Sequence, residues 1–133
     1  MVGAAVTIYF KSFTCGVASF LTGVLIDVDH ILDHFLNYGF RFRIKTFYYC
    51  CTRNKYGRLS LILHSYELVI LLWALIFTLR LGSIWTAAAI GMTQHLILDH
   101  IRNIARGKVG WQPYFFLFRL KNRFMTDRIM KKR

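Results

Sequence analysis

Acidic residues are scarce in this chain, in which six Asp and Glu stand against 18 Lys and Arg, giving a formal net charge of +12 over 133 residues. Paired cysteines are also missing, because Cys15, Cys50 and Cys51 are odd in number and no two have the CxxC spacing. This excludes a disulfide framework and a cysteine-based zinc or redox motif. The chain further lacks an internal repeat, a low-complexity linker and a cleavable signal, so we expect its first apolar segment to stay in the mature protein.

Apolar residues, in contrast, make up 56% of the chain, and the mean hydropathy is +0.40. A water-soluble domain of this length does not normally reach such values. A membrane-spanning helix needs about 20 mainly apolar residues, and three windows approach this length. They are residues 2–28, 59–79 and 83–98. We therefore predict an all-α, polytopic membrane protein with about three transmembrane helices, forming a single membrane domain over residues 1–133.

The basic residues lie mostly outside these windows, in the loop 38–58 and in the tail 101–133. Lys and Arg are preferred in cytoplasmic loops, so both segments are predicted to face the cytoplasm. Topology and contact with anionic lipid account for the charge, and we expect no nucleic-acid partner. The tail combines aromatic residues near Trp111 with Arg119 and Lys121, which predicts a basic amphipathic segment at the lipid headgroups.

The His and acidic residues are distributed differently from the basic ones. All five His and five of the six acids lie in an apolar window or at its end. Ionisable groups in a span cost several kcal/mol by some scales, so they usually face a protein interior and act there. With the predicted topology, the groups 27–34, 64–67 and 95–100 share one depth near the cytoplasmic interface. We expect them to converge if the helices pack as a bundle.

The spacing inside each group agrees with a shared site. On a helix Asp27, His30 and His34 fall on one face and Asp29 lies on its flank, whereas His100 points away from the face of its own group. The other candidate ligands form an i,i+3 pair and an i,i+4 pair. They are His64 with Glu67, and His95 with Asp99.

Imidazole and carboxylate together are typical ligands of Zn, Mn or Fe. Enough groups are present for one ion or two, and two-metal sites favour phosphoester chemistry. The alternative is that these groups form buried hydrogen-bonded pairs that only hold the helices together. Arg102, one turn beyond Asp99, is a candidate contact for a phosphate, with a solvated or lipid-facing role equally open.

Three short segments resemble a bacterial family of membrane-bound, predicted metal-dependent hydrolases, also described as LexA-binding, inner-membrane-associated hydrolases. The segments are Asp-Val-Asp-His at 27–30, His-Ser at 64–65 and His-Leu-Ile-Leu-Asp at 95–99. The chain departs from the family in having Ile26 where a Pro is usual and in lacking an early His, which leaves the number of ions open. The resemblance implies a multi-pass protein of the bacterial inner membrane, with these ligands: Asp27, Asp29, His30, His64, His95 and Asp99. Glu67 and His34 are added to the site from geometry alone.

We therefore expect an enzyme, a membrane-embedded metal-dependent hydrolase of a phosphoester or lipid-linked substrate. A carboxylate such as Glu67 or Asp29 would take the proton of the attacking water. The expected partners are membrane lipids, with an anionic lipid as substrate, and a homo-oligomer that encloses the site stays open. The alternative is non-catalytic: a metal-binding protein, a cation or proton transport subunit, or a membrane scaffold. Ionisable groups confined to one layer favour a site over a conduction pathway.

Overall fold

The fold is helical throughout the part that the computed structural model describes, namely residues 2–39, 43–53, 57–107 and 110–129. One isolated antiparallel bridge, Arg58 to Met125, is the sole β-type pairing in those ranges. The predicted all-α class is therefore confirmed. The helices are α1 (Val2–Phe10), α2 (Phe13–Leu25), α3 (Val28–Tyr38), α4 (Ile44–Arg53), α5 (Tyr66–Thr78), α6 (Ser83–Ala105), α7 (Phe116–Lys121) and α8 (Thr126–Ile129), with a 3₁₀ turn at Gln112–Tyr114.

The first predicted window, 2–28, does not form one helix. Lys11 adopts a positive φ of 48°, and the Ser12 side chain accepts a hydrogen bond from the Cys15 backbone N–H. A left-handed residue followed by an N-cap ends one helix and begins another. α1 therefore folds back along α2 as a hairpin, and residues 2–10 do not extend the span that follows.

Helices α2 and α3 join almost in line through a tight turn at Ile26 and Asp27. There the Asp27 N–H bonds to Val24 O at 3.1 Å and the His30 N–H bonds to Asp27 O at 3.1 Å, both three residues back. Together the two helices form a 26-residue stretch, Phe13–Tyr38, the one helix among the described residues that is long and apolar enough to cross a membrane. Three transmembrane helices are not confirmed.

The second window, 59–79, begins as a loop rather than as a helix. α5 starts only at Tyr66, because Ser65 is extended and its side chain caps the helix by accepting from the Leu68 N–H. α5 is consequently 13 residues long, shorter than the predicted span. The third window lies in α6, which follows a short turn at 79–82 as expected and continues past residue 98 to Ala105.

A close contact between α2 and α6 fixes the framework of the site. A Cβ at Gly91 would lie 2.0 Å from the Ser19 carbonyl oxygen, so only glycine fits there. The Thr22 hydroxyl donates to Ala88 O at 2.9 Å across the same contact. Small residues at such a contact let two helices approach closely in a membrane.

The tail 101–133 folds partly onto the protein, and its predicted place at the lipid headgroups stays a prediction. Residues 101–105 extend α6, and residues 110–129 fold back over the loop 57–65. The Leu59 N–H donates to Phe124 O at 2.8 Å, and the Thr126 N–H donates to Gly57 O at 3.2 Å. Backbone pairing and a small apolar core around Leu59 therefore hold the tail against the protein. Of the basic loop 38–58, α4 covers 44–53, and residues 40–42 and 54–56 lie outside the described ranges.

Candidate metal centre

Asp27 is the centre of the polar cluster. Its Oδ1 lies 3.3 Å from His95 Nε2 on α6 and 3.6 Å from His64 Nε2 in the loop before α5. The tight turn between α2 and α3 presents this carboxylate to both rings. Short 3₁₀ segments inside longer helices often mark functional positions, and here the turn sets the direction of the Asp27 carboxylate.

His30 completes the cluster from the first turn of α3. One ring nitrogen of His30, one of His64 and a carboxylate oxygen of Asp27 all lie within 4.8 Å of one another, a separation at which one ion could contact all three. The His30 and His64 rings are 4.9 Å apart and the His64 and His95 rings are 5.5 Å apart, measured between centroids. His30 Nδ1 is buried without a hydrogen-bond partner among the described residues. Three separate elements thus supply a set of nitrogen and oxygen donors that matches Zn, Mn or Fe.

Asp29 lies beside the cluster and holds His64 in position. Its buried carboxylate accepts the backbone N–H of Leu63 and that of His64, the latter at 3.2 Å, and its Oδ2 lies 3.5 Å from His64 Nδ1. With Nδ1 facing this carboxylate, Nε2 is the nitrogen that points to Asp27. This is the carboxylate–histidine arrangement that orients metal-bound imidazoles in many proteins. The structure thus places Asp29 behind the candidate ligand His64, whereas we expected Asp29 to be a ligand itself.

Asp99 borders the cluster on α6 and is held by two side chains. Its Oδ2 accepts from the Tyr114 hydroxyl at 3.0 Å and from the Asn103 amide at 3.1 Å. Burial and the neighbouring Asp99 carboxylate raise the pKa of the Tyr114 phenol, so Tyr114 remains a hydrogen-bond donor at neutral pH. The negative charge of Asp99 also interacts electrostatically with the His30 and His64 rings.

Arg119 is a component of the site that our sequence analysis missed. We placed it at the headgroups, but in the structure it is only 1% exposed and its Nη2 donates to the His64 carbonyl at 3.3 Å. Burial lowers the pKa of its guanidinium, while the Asp29 and Glu67 carboxylates act in the opposite direction. The tail thus places a buried positive charge behind the loop that carries His64. No sequence signal distinguished Arg119 from its exposed neighbours Lys121 and Arg123.

Two predicted ligands are not brought to the cluster. Both oxygens of Glu67 accept backbone N–H groups at the start of α7, from Phe116 at 2.9 Å and from Leu117 at 3.1 Å. His34 is fully buried, with its ring 5.5 Å from that of Phe47 between centroids. The Ser65 cap explains the position of Glu67, because it starts the helix after His64 and removes the predicted i,i+3 pairing. A Ser before an apolar run is an N-cap signal that could have predicted this boundary.

His100 lies outside the cluster. Its Nδ1 is within hydrogen-bond distance of the Tyr66 hydroxyl, and its ring stacks on that of Tyr114 with 4.5 Å between centroids. It therefore joins α6 to α5 and to the tail without reaching Asp27.

An open groove of about 390 Å³ runs between α2 and α6 and leads to the cluster. Val2 and Gly3 of α1 border it as well. Its lining changes from apolar to polar along α6, from Gly91 through His95 and Asp99 to Arg102. Its volume falls within the range of roughly 300–1,000 Å³ that is usual for small-molecule sites. Two of the cluster residues, Asp27 and His95, are thus reachable from outside.

No protein-family model, no curated protein and no solved structure matches this chain. The function is therefore argued from the site itself.

Proposed function

We propose that this protein is a membrane-embedded, metal-dependent hydrolase that acts on a phosphoester in a membrane-associated substrate. The observation that supports it is the meeting of Asp27, His30, His64 and His95 at the inner end of an open groove. These four residues come from the α2–α3 turn, the first turn of α3, the loop before α5, and α6. A purely structural set of polar pairs would not need to open onto a groove.

The donor set fits a divalent ion in number and in kind. Asp27 offers a carboxylate oxygen, and His64 offers Nε2 because Asp29 faces its Nδ1. His30 brings a buried nitrogen that has no other partner among the described residues. A divalent cation held there would polarise a phosphoryl oxygen and lower the pKa of a bound water. The protein's own part is to hold these donors in place and to keep one side open to the groove.

Asp99 is the carboxylate best suited to accept the proton of the attacking water. It lines the groove next to His95, whereas both oxygens of Glu67 accept backbone N–H groups and Asp29 is buried and does not line the groove. Tyr114 and Asn103 fix one of its oxygens, Oδ2, so that the carboxylate keeps one orientation. A positioned carboxylate near a bound water is the usual requirement for a general base. The role that we expected of Glu67 or Asp29 is therefore proposed for Asp99.

The exposed apolar surface supports a membrane location. In the candidate span Phe13–Tyr38 only 28% of the apolar window is buried, whereas a core helix of a soluble protein would be mostly buried. Large side chains on several helices are exposed as well, including Phe13 at 79% and Phe77 at 71%. We propose an inner-membrane protein that crosses more than once, with the site and the basic segments on the cytoplasmic side.

Metal analysis of the purified protein, followed by hydrolysis of p-nitrophenyl phosphate and its diester, tests the proposal. We expect a stoichiometric divalent ion and metal-dependent turnover. The His64→Ala and Asp27→Asn variants should lose both the ion and the activity. His100→Gln, which changes a histidine on α6 outside the cluster, should retain the ion.

Two outcomes would contradict the proposal in different ways. A protein that binds no divalent ion, or binds it equally well after His64→Ala, has no metal centre at this cluster. A stoichiometric ion without turnover on either ester would favour the non-catalytic metal-binding alternative. Thermal unfolding in detergent shows whether a variant has lost the ion or has failed to fold.

A further inference from the structure

The groove between α2 and α6 has an apolar upper part and a polar end. Phe20 and Val24 line the apolar part from α2, and Leu98 on α6 adds apolar surface next to Asp99 at the polar end. Phe20 is 63% exposed and Val24 is 50% exposed, so apolar surface remains uncovered along the groove. If α2 lies in the bilayer, this part of the groove opens to the acyl chains and not to water. A hydrocarbon chain is the occupant that matches such a lining.

The polar end carries an accessible cation next to the cluster. Arg102 lies one turn beyond Asp99 on α6, and both residues line the groove. Among the described residues no carboxylate lies within ion-pair distance of the Arg102 guanidinium. A guanidinium recognises phosphate through a planar pair of N–H donors. Arg102 is therefore available to an anionic group bound at this end.

Together the two ends of the groove fit an amphipathic ligand with a hydrocarbon chain at one end and an anionic group at the other. From these features we infer that the groove binds a lipid phosphate, with one acyl chain between α2 and α6 and its phosphate between Arg102 and the Asp27–His95 pair. The net charge of +12 agrees with this choice, because basic proteins accumulate at anionic lipid surfaces. This inference rests on the proposed function, since it names the substrate class of the same site.

The reaction would be hydrolysis of the phosphomonoester. Water attacks phosphorus, a P–O bond forms to the water oxygen, and the P–O bond to the lipid alcohol breaks. One proton of the water goes to Asp99, the departing alcohol oxygen takes a proton from bulk water, and Asp99 returns its proton to bulk water, so the products are a neutral lipid alcohol and inorganic phosphate. The acyl chain takes no part in these steps. Its contribution is to place the ester next to the cluster, which converts binding energy into orientation.

A test compares three ligands that share parts of the proposed substrate. Lysophosphatidate has the chain and the phosphate, glycerol 3-phosphate has only the phosphate, and lysophosphatidylcholine has the chain with a zwitterionic headgroup. We expect release of phosphate from lysophosphatidate with a much lower KM than from glycerol 3-phosphate. A fluorescent single-chain lipid phosphate should bind in the groove and be displaced by lysophosphatidate better than by lysophosphatidylcholine.

Two pairs of matched variants locate the chain and the phosphate. Val24→Trp fills the groove, while Leu25→Trp adds the same side chain at a neighbouring, similarly exposed position, 54% against 50%, that does not line the groove. We expect Val24→Trp to weaken binding of the fluorescent lipid roughly tenfold or more, the loss expected when a few methylenes are left outside. Leu25→Trp should bind as before. Arg102→Gln should remove the preference for the anionic lipid, and Arg106→Gln on the same helix end should keep it.

Failure of this inference and failure of the proposed function look different. If glycerol 3-phosphate is hydrolysed as well as lysophosphatidate and Val24→Trp binds the lipid normally, the groove is not a lipid site although the hydrolase proposal stands. If no ester is hydrolysed but the fluorescent lipid still binds in a Val24-dependent way, the lipid site stands and the hydrolase proposal fails. Photo-crosslinking of a diazirine-bearing chain to the unsubstituted protein is independent of folding defects. Labels away from Val24 and Leu98 would overturn the inference.

Discussion

Substitution of Asp29 by Asn gives the sharpest test of how the site is held. The Asp29 carboxylate accepts the backbone N–H groups of Leu63 and His64 and faces His64 Nδ1 at 3.5 Å. Asn retains one acceptor oxygen but removes the charge and places an N–H₂ group where a second oxygen was. His64 then faces a neutral amide instead of a carboxylate, so its ring and its tautomer are held less firmly.

The expected loss has two parts. Removing a partner of a metal-bound histidine typically lowers metal affinity about 10- to 100-fold. Hydrogen bonds to a charged group contribute about 1.5–3 kcal/mol, so the variant should also be less stable by an amount of that order. Competition with a fluorescent chelator measures the first part, and thermal unfolding without metal measures the second.

Asp33 provides a matched control on the same helix. It lies four residues after Asp29, is 1% exposed, and both of its oxygens accept the Ser60 N–H at 3.0 Å. It therefore anchors the same loop, and among the described residues it makes no hydrogen bond or ion pair to a histidine of the cluster. Asp33→Asn should lower stability to a similar extent and leave metal affinity nearly unchanged. Equal loss of metal affinity in both variants would refute the specific role of Asp29.

Two further substitutions test the framework around the site. Gly91→Ala should destabilise the protein by several kcal/mol or prevent folding, because the new Cβ would lie 2.0 Å from Ser19 O. Gly82→Ala is the control and should be tolerated, because a Cβ there meets nothing within 4 Å. Thermal unfolding of the two variants tests this prediction. Glu67→Gln should loosen residues 116–129 by about 1 kcal/mol through loss of the charged cap on α7, with little change in metal affinity. Limited proteolysis measures that loosening, and an ion lost from Glu67→Gln while the tail stays protected would contradict it.

The convergence of the polar groups could be predicted from the sequence because it follows from the depth at which these residues would lie in a membrane. Ionisable residues at the ends of apolar windows share one layer when the windows are antiparallel, and the structure brings Asp27, His30, His64 and His95 together there. Hydropathy, however, gives the length of an apolar segment and does not show where the backbone turns within it.

The remaining differences arise where local backbone chemistry overrides hydropathy. Ser12 and Ser65 cap helices, so an apolar run of 2–28 becomes a hairpin and His64 lies in a loop. Glu67 is thereby displaced toward α7. Arg119 could not be identified, since a basic aromatic segment has the same composition whether it lies on lipid or folds over the protein. Its burial depends on distant carboxylates that a local pattern does not show.

The anchoring of His64 by Arg119 affects how the site would be recognised in other chains. The two residues are 55 positions apart, although they are in direct contact. A short motif built from the aspartates and histidines alone would also accept chains that possess the donors but not the guanidinium behind them. A search for working copies of this centre therefore needs a downstream arginine, together with a tyrosine opposite the α6 aspartate, as additional criteria.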